Sequence, residues 1–296
     1  MEKYLEKPAR ATINRLSSIS LIISIFPETT HYEDFTMNNP IPNILLSNDD
    51  SFDSPILDIT LEVLKNMGNL YVAVPEEEQS WKGKSMTRLN PIEVSPLSLK
   101  GAVGWKITGT PADCTNLAMH QLMPCMPDIV VSGTNIGKNV GAGFVFSSGT
   151  IGACLEANIS GIPAIALSQE LAKDDFIHWY ENRSFRPETI LKLKNTLQKN
   201  IPAVWQQFPL HSIDPRTTWN INFPEMSFTD PKIVYTKTGQ SYYGNCFSKE
   251  EKGYKFSFKE ATIDQTPLTD DKTLQEGNIS ASLLDLRSFG GQITKA

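Results

Sequence analysis

Short apolar runs recur along the chain from residue 43 onward, separated by segments with helical periodicity. Residues 43–47 (NILLS) and 70–74 (LYVAV) are two such runs, and an apolar stripe with helical spacing lies between them at 56–67. A β-α-β unit of about thirty residues is typical of parallel strands joined by a crossover helix. Strands that are apolar throughout indicate a sheet covered on both faces. The pattern therefore predicts an α/β fold with a doubly wound, mostly parallel sheet.

The same alternation continues to about residue 230 and then stops. It predicts further strands at 105–109, 128–132, 163–168 and 218–223, and helices that begin at 110, at 150 and at 187. Residues 231–296 are polar with scattered Tyr and Phe, which predicts β-hairpins and an arm rather than a second core. A chain of 296 residues allows two domains or one large one. We interpret 37–230 as one catalytic α/β domain and 231–296 as its extension, with a role in oligomerisation.

The first 36 residues differ from the rest. Four basic residues precede a weakly apolar run at 16–26, as in a signal peptide, but serines interrupt the run and no small-residue cleavage site follows. The run is too short to cross a bilayer. We interpret 1–36 as a loosely attached extension, with Met37 as a second possible start. A secretory signal is the alternative. Four cysteines are too few for a disulfide scaffold, so we expect a reduced, cytoplasmic compartment, and they form no C-x-x-C pair, which disfavours a zinc or thioredoxin-type site. We also expect no membrane partner.

Charge excludes one class of partner. The net charge is −6, and a nucleic-acid binder needs clustered cations for phosphate contacts. We therefore expect no nucleic-acid partner. A phosphate-bearing substrate would have to be held by local features of a site.

Candidate chemistry lies where the predicted strands end, because ligands of open α/β sheets bind beyond the carboxyl ends of the strands. Asp49 and Asp50 follow the first strand after Asn48. Adjacent carboxylates repel each other unless they lie in water or around a cation, and hard oxygen ligands suit Mg²⁺ or Mn²⁺. A solvated turn with Asp50 capping a helix is the alternative. After the second strand, residues 76–78 are three Glu and Ser80 could add a neutral oxygen ligand, and basic residues follow at 82, 84 and 88.

The third strand end opens a glycine-rich loop, 133–149. Glycine permits positive φ and exposes N–H groups that can bind an anion. Asn135 offers a carbonyl oxygen to a metal, and Asn139 offers an amide N–H to a phosphoryl oxygen. The loop leads into a helix start, where free N–H groups favour phosphate. A flexible loop without a ligand is the alternative. The residues at that helix start are Ser147, Ser148, Gly149 and Thr150.

Other catalytic motifs are missing from the sequence. Gly83-Lys84-Ser85 lacks the upstream glycine of a P-loop, and the glycine-rich loop is not G-x-G-x-x-G. The G-x-S-x-G elbow of a serine hydrolase does not occur. The absence of these motifs excludes a Walker A site, a dinucleotide fingerprint and an elbow-type hydrolase.

Four motifs, in this order and spacing, resemble the SurE family of metal-dependent 5′/3′-nucleotidases, which are nucleoside monophosphate phosphatases. They read LLSNDDSFDSP at 45–55, VAVPEEEQS at 72–80, TGTPADC at 108–114 and PDIVVSGTNIGKNVGAGFVFSSGTIGACLEA at 127–157. The resemblance continues weakly at 220–224 and 269–284. It implies a Rossmann-like three-layer sandwich with a C-terminal arm.

The resemblance also implies the site residues. It implies that Asp49, Asp50, Ser80 and Asn135 hold one divalent cation per subunit. The catalytic residues that it implies are Asp49, Asp50, Asn139 and Ser148. Phosphate binding would involve Asn139, Ser147, Ser148, Gly149 and Thr150. The implied reaction releases nucleoside and phosphate, by attack of water or, as an alternative, through an aspartyl-phosphate. A homodimer or homotetramer is implied, with the C-terminal arm a candidate for exchange between subunits.

The chain departs from the family pattern without losing a ligand. Ser51, Ile56 and Trp81 stand where the family usually has glycine, and Ala142 and Gly143 replace common acidic residues. These departures affect the expected loop conformations and substrate preference. They also leave two alternatives open: a non-catalytic protein that binds nucleotide or phosphate, and a metal hydrolase of other phosphate esters or short polyphosphate.

Overall fold

The computed structural model describes residues 41–258 and 261–290. The predictions made for 1–36 and for Met37 as a start lie outside the described residues. Within the described residues, no helix is both long and apolar enough to cross a membrane.

Helices and strands alternate through the first two thirds of the described chain. The elements are β1 (Asn43–Ser47), α1 (Leu57–Leu64), β2 (Asn69–Pro75), β3 (Val94–Leu99), β4 (Ala102–Ile107), α2 (Pro111–Leu117), β5 (Ile129–Ile136), α3 (Ala142–Ser147), α4 (Gly149–Ile159), β6 (Ala164–Gln169), α5 (Lys173–Asn182), α6 (Pro187–Gln207) and β7 (Thr217–Phe223). They continue with β8 (Ile233–Thr236), β9 (Ser241–Tyr243), β10 (Phe247–Glu250), β11 (Gly253–Phe256), β12 (Ala261–Ile263), α7 (Asp270–Gln275) and β13 (Ile279–Asp285). A π-helical turn at Ala118–Leu122 extends α2.

One nine-stranded sheet dominates the fold, in the order β3-β4-β2-β1-β5-β6-β7-β13-β8. The strands from β4 to β7 in that order are parallel, whereas β3 pairs antiparallel with β4 and β13 pairs antiparallel with β7. Because strand side chains alternate, Ile44 and Leu46 pack with α1 and α6 on one face while Leu45 packs with α2 and α4 on the other. The prediction of a mostly parallel α/β sheet covered on both faces is confirmed.

Local sequence chemistry explains several element boundaries. Thr110 caps α2 with its side chain, Pro111 occupies the first turn, and Asp113 completes the capping box, as the sequence predicts. By contrast α6 runs through Pro202 to Gln207. The sequence pattern predicts that Ile190, Leu191 and Leu197 of this helix face inward. Leu197 is buried, but Ile190 and Leu191 are exposed, so the prediction is wrong for those two residues.

The C-terminal segment is divided between the main sheet and two small antiparallel pairs. β8 and β13 belong to the nine-stranded sheet, while β9 pairs with β12 and β10 pairs with β11. The β10–β11 hairpin is exposed on all its residues. The predicted C-terminal hairpins are therefore present. The boundary at 230/231 stays a prediction, and two strands beyond it complete the main sheet.

Candidate active site

Two buried carboxylates stand at the carboxyl end of β1. Asp49 is 3% exposed and Asp50 is 7% exposed. The Thr150 hydroxyl donates to Asp49 Oδ1 at 2.6 Å, and the Ile136 backbone N–H donates to Asp50 Oδ2 at 2.9 Å. The pair thus lies between the first turn of α4 and the end of β5. The structure brings together three regions that the sequence predicts separately.

A positive charge nearby would stabilise the two buried carboxylates of Asp49 and Asp50. Burial raises the pKa of Asp50 well above its usual value, and the neighbouring Asp49 carboxylate raises it further. Burial also raises the pKa of Asp49, although hydrogen bonds from Thr150 partly oppose that shift. Neither carboxylate forms a salt bridge within 41–258 and 261–290. Buried charges are normally paired or bound to a metal, so a cation fits this position.

Ser80 and Asn135 each adjoin a residue that contacts the carboxylate pair, Gln79 and Ile136 respectively. The Gln79 N–H donates to the Asp49 backbone carbonyl at 2.8 Å, which brings the Ser80 loop beside Asp49. The Ser80 hydroxyl donates to Glu78 Oε1 at 2.8 Å, and the Asn135 amide donates to the Gly137 carbonyl at 3.2 Å. The described residues contain no group of three or more His, Cys, Asp or Glu that could hold a metal. The candidate set instead combines carboxylate, hydroxyl and amide oxygens, which suits a hard divalent cation.

A bulge in β5 determines the position of Asn135 at the end of that strand. The pairing of β5 with β6 shifts between Ser132 and Asn135. Gly133 lies in this bulge with φ +120°, and a Cβ there would stand 2.2 Å from the Leu167 carbonyl oxygen. Only glycine allows that approach. The glycine therefore sets the path of β5 as it enters the site.

The first turn of α4 packs directly against Asp49. A Cβ on Gly149 would stand 2.7 Å from Asp49 Cβ and 3.1 Å from the Gln79 carbonyl oxygen. Ser148 is the N-cap, and its hydroxyl accepts from the Ile151 N–H at 3.2 Å. The first turn of a helix has N–H groups without intrahelical partners, and its dipole favours anions. A helix start whose dipole favours anions thus lies beside the candidate cation site.

Comparison with known proteins assigns the family. Residues 44–245 match the family model described as survival protein SurE. This chain belongs to the SurE family. A curated relative named 5′-nucleotidase SurE from Hyphomonas neptunium is 31% identical over 81% of this chain and 92% of its own length. Its namesake from Methanopyrus kandleri is 35% identical over 78% of this chain and 92% of its own length. The crystal structure of the SurE protein from Aquifex aeolicus superposes with a TM-score of 0.61 at 25% identity, covering 83% of this chain and 94% of that one.

Asn139 of this SurE chain is held by a buried polar network. Its amide donates to Ser168 Oγ at 3.0 Å, and its backbone N–H donates to Asn222 Oδ1 at 2.8 Å. The Asn220 amide donates to the Asn139 carbonyl at 2.9 Å. These partners were not predicted from the sequence. The available signal was that Asn220 and Asn222 stand at alternate positions of the strand 217–223, since alternate residues share one face.

The C-terminal segment also holds the glycine-rich loop of this SurE protein. The buried Asp270 carboxylate accepts from the Gly141 N–H at 2.8 Å. Lys138 lies 2.7 Å from both Glu170 and Asp271. These contacts fix the loop on either side of Asn139. They were not predicted from the sequence, because the partners are far apart along the chain.

Two of the residues that stand where the SurE pattern has glycine adopt a backbone conformation typical of glycine. Ser51 has φ +79° and Trp81 has φ +66°, both in the left-handed region that glycine favours. Ile56 is different, since it adopts a right-handed helical conformation at the start of α1. The Trp81 ring packs against Phe144 and Tyr243 at centroid distances of 5.7 and 5.9 Å. The loops beside Asp50 and Ser80 thus retain positive φ without glycine.

A cavity of about 320 Å³ lies beside Asp50. Its lining includes the residues 76–78, which are all Glu, together with Trp179 of α5 and Arg183, which follows α5. Neither Trp179 nor Arg183 was predicted from the sequence, because they belong to no motif. Of the basic residues near Ser80, Lys84 pairs with Glu156 at 2.6 Å.

Proposed function

We propose that this SurE-family chain is a metal-dependent 5′-nucleotidase that hydrolyses nucleoside monophosphates to nucleoside and phosphate. The observation that carries the proposal is the buried pair Asp49–Asp50, which has no described salt bridge and lies against the N-terminus of α4. The curated relatives from Hyphomonas neptunium and Methanopyrus kandleri bear the name 5′-nucleotidase SurE. Both the local chemistry and the relatives support the same reaction.

The oxygen atoms of Asp49, Asp50, Ser80 and Asn135 would hold one Mg²⁺ or Mn²⁺ ion. When bound, that ion would polarise the phosphoryl group and neutralise the charge that develops on it. We assign the metal to these residues because their oxygens are hard donors and because the two carboxylates otherwise lack compensating charge.

The substrate phosphoryl group would lie against the first turn of α4. We propose that Ser147, Ser148 and the Gly149 N–H bind its oxygens, together with the Asn139 amide. Thr150 was predicted to bind phosphate as well. Because its hydroxyl donates to Asp49 at 2.6 Å, we propose that Thr150 also positions that carboxylate.

Hydrolysis needs a water molecule in line with the bond to the nucleoside. A carboxylate of the Asp49–Asp50 pair would orient this water. The water oxygen bonds to phosphorus as the bond between phosphorus and the nucleoside oxygen breaks, and the proton released from water passes to the departing oxygen. An aspartyl-phosphate route would need a carboxylate that faces phosphorus freely. Asp49 and Asp50 each accept a hydrogen bond and are also proposed metal ligands, so the water route is favoured.

The decisive experiment measures phosphate release from a panel of nucleoside monophosphates with Mn²⁺, with Mg²⁺ and with EDTA. We expect metal-dependent release by the wild type and almost none by Asp49→Asn. Asp58→Asn is the matched control, because Asp58 is exposed on α1. Wild-type turnover by a folded Asp49→Asn variant would sink the assignment.

The same panel separates the alternatives. Nucleotide binding without turnover would indicate a non-catalytic protein on the SurE fold. Turnover confined to other phosphate esters or short polyphosphate would indicate a different metal hydrolase. Adding 3′-monophosphates to the panel tests the proposed activity on both positions.

We also propose that the protein forms a homodimer or homotetramer and works in the cytoplasm. The exposed aromatic residues of the β10–β11 hairpin, among them Phe247, Tyr254 and Phe256, support an oligomer because they offer apolar surface to a second subunit. The mass of the native protein in solution tests this assembly. A monomeric mass at micromolar concentration would contradict it.

A further inference from the structure

Arg183 brings a positive charge into the cavity beside Asp50. The lining of that cavity includes Asp53 and the three consecutive Glu at 76–78 besides Asp50. Among the described residues of the lining, Arg183 is the cation. A substrate with a doubly charged phosphate would be repelled by so many carboxylates. An arginine in this wall would oppose that repulsion.

The chain holds the Arg183 guanidinium in place in two ways. Arg183 follows the last residue of α5 and has φ +52°, a left-handed conformation that is uncommon for an arginine. Its guanidinium lies over the Trp179 ring at 5.0 Å from the centroid, and over the Tyr180 ring at 5.5 Å. Stacking on aromatic faces restrains the guanidinium before any ligand arrives. Unusual backbone conformations of this kind gather at functional sites.

The present partner of Arg183 can be exchanged. Arg183 Nη1 lies 2.8 Å from Glu78 Oε2, with side-chain exposures of 55% and 35%. Ion pairs as exposed as this one add little to stability. The other Glu78 oxygen accepts from the Ser80 hydroxyl. The guanidinium can therefore leave Glu78 for a phosphate at low cost, and Glu78 keeps its contact with Ser80.

We propose that Arg183 is a substrate-binding residue that recognises the phosphate dianion of the nucleotide. Its guanidinium exchanges Glu78 for two non-bridging phosphate oxygens, because the planar fork of arginine matches phosphate geometry. This inference rests on the proposed nucleotidase function and adds a residue to the substrate site. Arg183 acts on binding of the dianion and leaves the bond-breaking step to the carboxylate pair.

The test compares three variants in the full chain. Arg183→Asn removes the guanidinium while tolerating the left-handed backbone, and Arg183→Lys keeps the charge without the fork. Arg186→Asn is the matched control, because Arg186 is a nearby arginine that pairs with Asp175 and does not line the cavity. For each variant we would measure kcat and KM for a nucleoside monophosphate, and the Kd of inorganic phosphate by calorimetry with Mn²⁺ present.

For Arg183→Asn we expect KM and the phosphate Kd to rise together by about 10- to 100-fold, the range for lost hydrogen bonds to a charged group. Arg183→Lys should fall between that variant and the wild type, and Arg186→Asn should match the wild type. An unchanged phosphate Kd in a folded Arg183→Asn protein would overturn the proposal, as would a fall in kcat alone. If every protein, including the wild type, binds phosphate but releases none from nucleotides, the nucleotidase proposal fails while the Kd comparison still decides the role of Arg183.

Discussion

The contact between α4 and Asp49 makes Gly149 sensitive to the smallest side chain. In Gly149→Ala, the new methyl group would stand 2.7 Å from Asp49 Cβ, 3.0 Å from Asp49 Oδ2 and 3.1 Å from the Gln79 carbonyl oxygen. The first distance is far inside van der Waals contact, so either α4 or Asp49 must move. Because Gln79 precedes Ser80, the displacement would affect two of the four proposed metal ligands.

Gly149→Ala should reduce activity strongly but leave the protein folded. Overpacking a filled site costs about 1–3 kcal/mol, and alanine recovers up to about 1 kcal/mol of helix propensity over glycine. The net destabilisation should therefore be at most about 3 kcal/mol, which a stable domain survives. A shift of about 1 Å at a catalytic group can cost about 100-fold in rate. We expect kcat to fall by about 10- to 100-fold in a folded protein.

The assay is phosphate release as a function of Mn²⁺ concentration, read together with the melting temperature. Gly244→Ala serves as the control, because a Cβ at Gly244 would meet no atom within 4 Å. Higher Mn²⁺ should partly restore activity if the carboxylate moves away from the metal. A Gly149→Ala variant with wild-type kcat and wild-type metal dependence would refute the reasoning that α4 fixes Asp49.

Three further predictions follow from the same structure. Thr150→Val removes the hydroxyl that donates to the buried Asp49, so kcat/KM should fall by about 10-fold or more and the free energy of unfolding should fall by about 1–3 kcal/mol; equal kinetics would contradict a positioning role. Leu268→Asn should raise the free energy of unfolding by about 1 kcal/mol in denaturant titration, because Leu268 is 61% exposed and has φ +63°, which asparagine tolerates better. The last concerns pH: burial raises the pKa of Asp49 and Asp50, so their contribution to stability is present below the unfolded pKa and lost as pH rises through the folded pKa. In EDTA the melting temperature of the wild type should therefore fall as pH rises from acid to neutral, and that of Asp50→Asn should fall less steeply. Adding Mn²⁺ should reverse the fall. Parallel pH profiles for the wild type and Asp50→Asn would contradict this.

The central strands were predictable because their signal is local. A run such as 70–74 is apolar throughout, and the observed β2, Asn69–Pro75, extends it by one residue at each end. The cap at Thr110 was equally readable, since its side chain and that of Asp113 lie three residues apart. Such features depend on neighbours in sequence, where residue type alone determines the preferred conformation.

The edges of the sheet were not predictable in the same way. β3 (Val94–Leu99) has no buried residue and contains Pro96, and it becomes a strand by pairing with β4 at the edge. α6 continues beyond Pro202, where the sequence indicates an end, because Leu193, Leu197 and Val204 are buried against the sheet along its length. In both elements tertiary packing overrides the local preference.

The residues of the candidate site also differ in how far the sequence alone predicts them. Asp49, Asp50, Ser80 and Asn135 each follow or end a strand, so the rule for strand ends selects them. Arg183 and the network around Asn139 depend on which elements the fold brings together. No residue pattern near 183 points to the cavity, because its contacts with Glu78 span more than a hundred positions of sequence.

The place of β13 in the sheet has a consequence for synthesis of the chain. β13 lies between β7 and β8, pairing antiparallel with the first and parallel with the second. Until residues 279–285 leave the ribosome, β7 presents an unpaired edge and β8 has no neighbour in the sheet. Unpaired edges invite association with other chains. The segments that carry the proposed catalytic residues can form during translation, yet the nascent protein must keep that edge protected until its late strand arrives.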